Sequence, residues 1–137
     1  MADGMDPSKV NYVAALVAAL SSFLIGGVWY SPILFARAWM REAGLAEEKL
    51  RKGVARAFGW AFLMSVVAAV NLAFFLGPDP SIAWGATAGA LAGIGWAVTA
   101  LATVFLFERR SAMLILIDGG YLAVAYTVMG AVLGAWP

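Results

Sequence analysis

Four apolar stretches, each long enough to cross a bilayer and each free of lysine and arginine, constrain this chain more than any other feature. They run from Val10 to Tyr30, Ala57 to Leu76, Ile82 to Phe107 and Ala112 to Trp136. A hydrocarbon core of ~30 Å is spanned by about 20 apolar residues in a helix. The expected fold is therefore all-α: a four-transmembrane-helix bundle forming a single integral membrane domain over residues 1–137, with a connection over 31–56. Hydrophobic residues make up 64% of the chain and charged residues 12%. Water-soluble domains average about 45–50% and roughly 25%, so the bilayer itself is the first expected partner.

The punctuation between the stretches agrees. Span 1 closes at Tyr30-Ser31-Pro32, where Ser31 is expected to cap a new helix with Pro32 in its first turn. Span 2 closes at Gly77-Pro78, and Asp79-Pro80-Ser81 turns the chain and caps span 3. Only Glu108 to Ser111 separates spans 3 and 4, which makes those two antiparallel neighbours.

Loop charge orients the chain. Arg37, Arg41, Lys49, Arg51, Lys52 and Arg56 lie between spans 1 and 2, and Arg109 and Arg110 between spans 3 and 4. Only Lys9 of the nine basic residues lies on the other side, beside Asp3 and Asp6. The positive-inside rule then puts both connections in the cytoplasm and both termini outside, in the inner membrane of the cell. A cleaved signal peptide would need a basic start, a shorter apolar run and small residues at the cut. The acidic tail, the full-length span 1 and Trp29-Tyr30-Ser31-Pro32 argue that span 1 is retained. Trp29 and Trp60 at one end, with Trp84 and Trp136 at the other, read as aromatic belts; Trp96 alone is mid-span.

Residues 32–43 read as a short amphipathic interfacial helix, with Phe35 and Trp39 on one face, Arg37 and Arg41 on another, and Gly44 ending it. Such a helix is expected in the headgroup layer, apolar side down. Glu47 to Lys52 form a polar helical stretch leading into span 2, and three glutamates dilute any lipid- or partner-docking charge cluster in this connection.

Helix association in lipid depends on close backbone approach. Span 3 carries Gly85, Gly89 and Gly93 at a four-residue period; span 1 carries Ala14, Ala18, Ser22 and Gly26; span 4 ends with Gly130 and Gly134. These are helix-packing faces, within one bundle or between subunits.

Asp118 is the only acidic residue inside a span. It lies about 10 Å in from the basic end of span 4, at 1.5 Å per residue. The same depth on the neighbouring helices holds Ser22, Ser65, Thr99 and Thr103, with Tyr121 one turn further along span 4. A carboxyl there should face inward and be hydrogen-bonded, protonated or both, since facing lipid is costly. Gly119 and Gly120 beside it admit a close neighbour, and Asn71, Thr87 and Thr127 are candidates for a second polar layer. The group reads either as an ion- or proton-linked site or as a tie between helices.

Several landmarks resemble the bacterial membrane family called domain of unknown function 1761. They are Val10-Asn11-Tyr12, the run from Gly26 to Trp29-Tyr30-Ser31-Pro32, Phe35 and Trp39, Gly44-Leu45, and Asp118-Gly119-Gly120-Tyr121. The resemblance covers nearly the whole chain and implies a bacterial-type four-helix membrane protein. It brings no activity, ligand or catalytic residue with it.

The chain has neither Cys nor His, which excludes disulfides, thiolate and imidazole metal sites, haem ligation by His, and Ser-His-Asp chemistry. No metal or cofactor is expected. A net charge of +1 gives no basic surface for nucleic acid. The expected function is a small homo-oligomeric transporter or channel for an ion or small solute, with Asp118 as its coupling group. The alternative is an accessory or structural subunit of a larger membrane complex, docked through Gly85, Gly89 and Gly93. Either way, self-association or a membrane protein partner is implied. An enzyme is not expected, because Asp118 has no His, Cys or second buried carboxylate to work with.

Overall fold

Asn11 starts the first long helix by accepting a hydrogen bond from the Ala14 N–H at 3.0 Å, so α1 runs Tyr12–Trp29. The structure, a computed structural model, describes residues 6–137; Asp3 of the acidic tail lies outside them. After α1 come two short helices, α2 (Ala36–Ala43) and α3 (Glu47–Arg51), and then α4 (Val54–Leu76). The third span is α5 (Ile82–Ala92), a π-wound segment (Gly93–Val98) and α6 (Thr99–Phe107) in one continuous helix. The fourth is α7 (Ala112–Ala135). Four helices are thus long and apolar enough to cross a membrane, joined by a short amphipathic helix between the first two.

Ser81 caps α5 through the Trp84 N–H at 3.0 Å, and Ser111 caps α7 through the Leu114 N–H at 3.1 Å. Ser31 does not cap α2. Its hydroxyl donates to the Val28 carbonyl at 2.7 Å, while its own carbonyl accepts from the Leu34 and Ala36 N–H groups. Pro32 therefore sits in a turn, and α2 begins four residues later. Gly44 ends α2 in the left-handed conformation, φ +70°. Gly53, at φ +69°, separates α3 from α4, so the polar stretch does not run on into the second span.

α7 is the centre of the bundle. It packs on α1, on α5 and on the π-wound segment, while α4 packs mainly on α1. The α5–α7 seam is made by glycine. A Cβ on Gly85 would strike the Gly130 carbonyl, one on Gly89 the Tyr126 carbonyl, and one on Gly134 the Ser81 carbonyl. Backbones this close gain dispersion and weak Cα–H contacts that any larger residue would forbid. The span 3 stripe is consumed inside the bundle, so it is not free to face a second copy or a foreign subunit. The small face of α1 (Ala14, Ala15, Ala18, Ala19, Ser22) is likewise buried.

Two tryptophans are not simple belt residues. The Trp29 indole N–H donates to the Ile117 carbonyl at 2.9 Å, and that of Trp84 to the Leu76 carbonyl at 3.3 Å. The first ties α1 to α7, the second staples the turn between α4 and α5.

Candidate functional site

At the basic end, two of the runs that carry the family resemblance meet: Trp29-Tyr30-Ser31 at the close of α1, and Asp118-Gly119-Gly120-Tyr121 in α7. The Tyr30 hydroxyl donates to Asp118 Oδ1 at 2.7 Å. Tyr30 stands at the helix end and Asp118 two turns inside α7, yet their side chains close the gap. In antiparallel helices each Cα–Cβ bond leans toward its own N-terminus. Tyr30 therefore leans into the bundle, and Asp118 leans back toward the basic end.

Glycines make room for this contact. A Cβ on Gly120 would lie 2.8 Å from Trp29 Cζ2, and one on Gly26 would lie 3.3 Å from Tyr121 Cε1. Gly120 thus lets the Trp29 indole lie against α7, where it reaches the Ile117 carbonyl. Gly119 faces the π-wound segment, 3.2 Å from Val98 Cγ1 by the same measure. Tyr121 donates to the Ser22 carbonyl at 3.1 Å, adding a second α7-to-α1 bond.

Aromatic rings then join the site to the elbow, the connection between α1 and α4 that holds α2 and α3. Tyr30 lies 4.9 Å from Trp39 and 5.6 Å from Tyr121, centroid to centroid, and Trp29 lies 5.0 Å from Phe35. The apolar face of α2 therefore meets the bundle through Phe35 and Trp39. Ile33 and Leu34, just before α2, are the exposed apolar residues of the elbow.

The hydroxyls expected around Asp118 are bonded within their own helices. Ser22 donates to Ala19, Ser65 to Ala61, Thr99 to Gly95 and Thr103 to Thr99. Thr99 and Thr103 are also exposed, away from α7. A helical Ser or Thr satisfies itself on the preceding turn without any tertiary contact, which is why shared depth did not assemble a layer. The second layer does not form either: Thr87 donates to Ala83, Thr127 to Ala123, and Asn71 is exposed. Of the predicted polar set, Tyr121 and Ser22 do meet, through the Ser22 backbone. Gly26 joins the site under Tyr121, whereas Gly85, Gly89 and Gly93 lie on the α5–α7 seam.

Tyr30 and Trp29 are the residues missed as partners of α7. Both belong to a run already distinctive in sequence, and the lean of a tyrosine at a helix end is the signal that would have paired it with Asp118.

Asp118 Oδ2 has no hydrogen-bond partner among the described residues, and no side-chain oxygen or nitrogen is both sealed and unpartnered among them. One carboxylate oxygen is therefore held by Tyr30 and the other is open.

Four membrane-length helices, the first and fourth joined by a partly buried carboxylate–phenol pair, define a multi-pass α-helical membrane protein. The chain belongs to the family described as protein of unknown function (DUF1761), which matches residues 13–134. No curated protein and no solved structure matches it.

Proposed function

We propose that the protein is a small, non-enzymatic carrier or channel for an ion or small solute. It would act in the inner membrane as a homo-oligomer, with the basic connections in the cytoplasm and both termini outside. The observation that supports this reading is the asymmetry of Asp118, the sole intramembrane carboxylate, with one oxygen on Tyr30 and the other open. An intramembrane carboxylate is an expensive group to retain, and an open oxygen gives a proton or cation somewhere to bind. Tyr30 lies between Trp39 of the elbow and Tyr121 of α7, so a change at Asp118 reaches both. Copies would meet through surfaces other than the α5 glycine stripe, which α7 covers.

The test uses purified protein in liposomes containing a pH-sensitive dye. A potassium diffusion potential drives protons, and alkali cations are tried in turn. Wild type should pass protons or one of these cations faster than empty liposomes, and Asp118→Asn should be folded yet no faster than empty liposomes. Flux unchanged by Asp118→Asn, or none for any cation, would refute the reading. Native mass measurement separates self-assembly from a foreign partner, the outcome expected of an accessory subunit.

A further inference from the structure

A second site lies away from Asp118, on the bilayer side of the bundle between α4 and α5. The chain creates it by topology. The link at residues 77–81 and the Trp84 N–H to Leu76 bond pin the two helices together at the non-basic end. Beyond that pin α4 follows α1 while α5 follows α7, so the two diverge toward mid-membrane. The gap is a cleft of ≈ 660 Å³, open along one side.

Its lining is mostly alanine and aromatic, with Leu72 and Leu91 completing it. Ala68, Ala88, Ala92 and Ala97 give it flat, small-residue walls. Trp84, Phe75, Trp96 and Tyr126 supply aromatic faces, and Phe75 and Trp96 touch with ring centroids 5.6 Å apart. Both side chains lean toward their own helix N-termini, and so toward each other across the cleft. Two polar residues point to a ligand: Asn71 and Tyr126 line the cleft, and neither side chain has a hydrogen-bond partner among the described residues. An unpaired amide at membrane depth is costly unless something bonds it.

We propose that this cleft binds a bilayer-soluble molecule with a flat, carbonyl-bearing ring of the quinone type and a hydrocarbon tail. The alanine walls admit a planar ring edge-on, electron-rich indoles favour an electron-poor ring, and Asn71 and Tyr126 offer donors to carbonyl oxygens. A cleft of this size matches the usual range for small-molecule sites, roughly 300–1,000 Å³. The site is independent of Asp118 and stands or falls separately from ion transport.

The probe is a benzoquinone carrying a decyl tail, titrated into the whole protein in nanodiscs while tryptophan fluorescence is read. Quenching should saturate for wild type, and Trp84→Phe or Trp96→Phe should each remove part of the saturable amplitude. Asn71→Leu should weaken binding about tenfold through loss of a hydrogen bond in apolar surroundings, and Tyr126→Phe should weaken it similarly. Ala92→Phe should abolish it by filling the cleft, with circular dichroism checking its helices. Gly27→Leu, on an open surface elsewhere, should bind as wild type does. Non-saturating quenching would overturn the proposal, and so would an affinity unchanged in both the Asn71 and Tyr126 variants. Equal competition by decanol, which has the tail but no ring, would show an acyl-chain groove only and overturn it too.

Discussion

Tyr30 and Asp118, 88 positions apart in sequence, share a 2.7 Å hydrogen bond that joins the end of α1 to the interior of α7. It is flanked by the Trp29 bond to Ile117 and the Tyr121 bond to Ser22, so three side chains stitch the same pair of helices. Hydrogen bonds between helices in bilayers average only about 0.6 kcal/mol and reach about 1.7. No single one holds the bundle, and substitution effects at this end should be graded.

Tyr30→Phe should destabilise modestly, by about 1 kcal/mol, and its double-mutant cycle with Asp118→Leu should show coupling of similar size. Asp118→Asn should cost less than Asp118→Leu, since its amide oxygen still accepts from the Tyr30 hydroxyl, whereas leucine leaves that hydroxyl without its acceptor. Reversible unfolding in mixed micelles reads all four states of the cycle. Strict additivity of the two single changes would show that the bond contributes nothing to folding.

Gly89→Leu should destabilise by about 2 kcal/mol or more, because the new side chain meets the Tyr126 carbonyl rather than a yielding side-chain tip. Gly27→Leu is the control: nothing lies within 4 Å of its Cβ position, and it should be nearly neutral. Thermal denaturation of the two variants side by side checks the seam, and equal melting would place α5 wrongly.

Gly120→Ala should displace the Trp29 indole, whose ring atom lies 2.8 Å from the added methyl position. The expected signature is loss of the Trp29–Ile117 bond, seen as a shifted indole N–H resonance, with a smaller loss of stability than Gly89→Leu. An indole resonance unmoved by the substitution would refute the packing.

Acid should loosen the elbow. The Ser111 hydroxyl, and after it the Arg41 guanidinium, hold the Glu42 carboxyl below the ordinary glutamate value of 4.5. A depressed folded value means the contact contributes fully above 4.5 and is lost as pH falls through the lower folded value. A probe on Arg37→Cys, a unique thiol in this cysteine-free chain, should gain mobility over that acid range. Glu42→Gln should remove the pH dependence; its persistence would assign the transition to another group.

Orientation is open to direct labelling. Cysteines placed within 45–52 should be reached from the cytoplasm, and those within 78–80 from outside, as eight of nine basic residues at one end require. Labelling of 78–80 from the cytoplasm would invert the arrangement.

The number of spans, their limits to within a few residues, the Ser81 cap and the Gly44 stop were legible in sequence. Length of apolar run, missing charge and capping chemistry are local properties. So is the spacing of Gly85, Gly89 and Gly93, which marks a face meant for close approach. The face it meets is not local. These helices are apolar nearly all round, since lipid accepts what a soluble core would have to bury, and no amphipathic period says which side turns inward. Only the tertiary structure placed α7 at the centre, spent the α5 stripe on Gly130 and Tyr126, and split α4 from α5 to open a cleft. It also decided Asp118's partner. Threonines and serines at the right depth were satisfied by their own helices, while a tyrosine at a helix end, long enough to lean inward, crossed the gap.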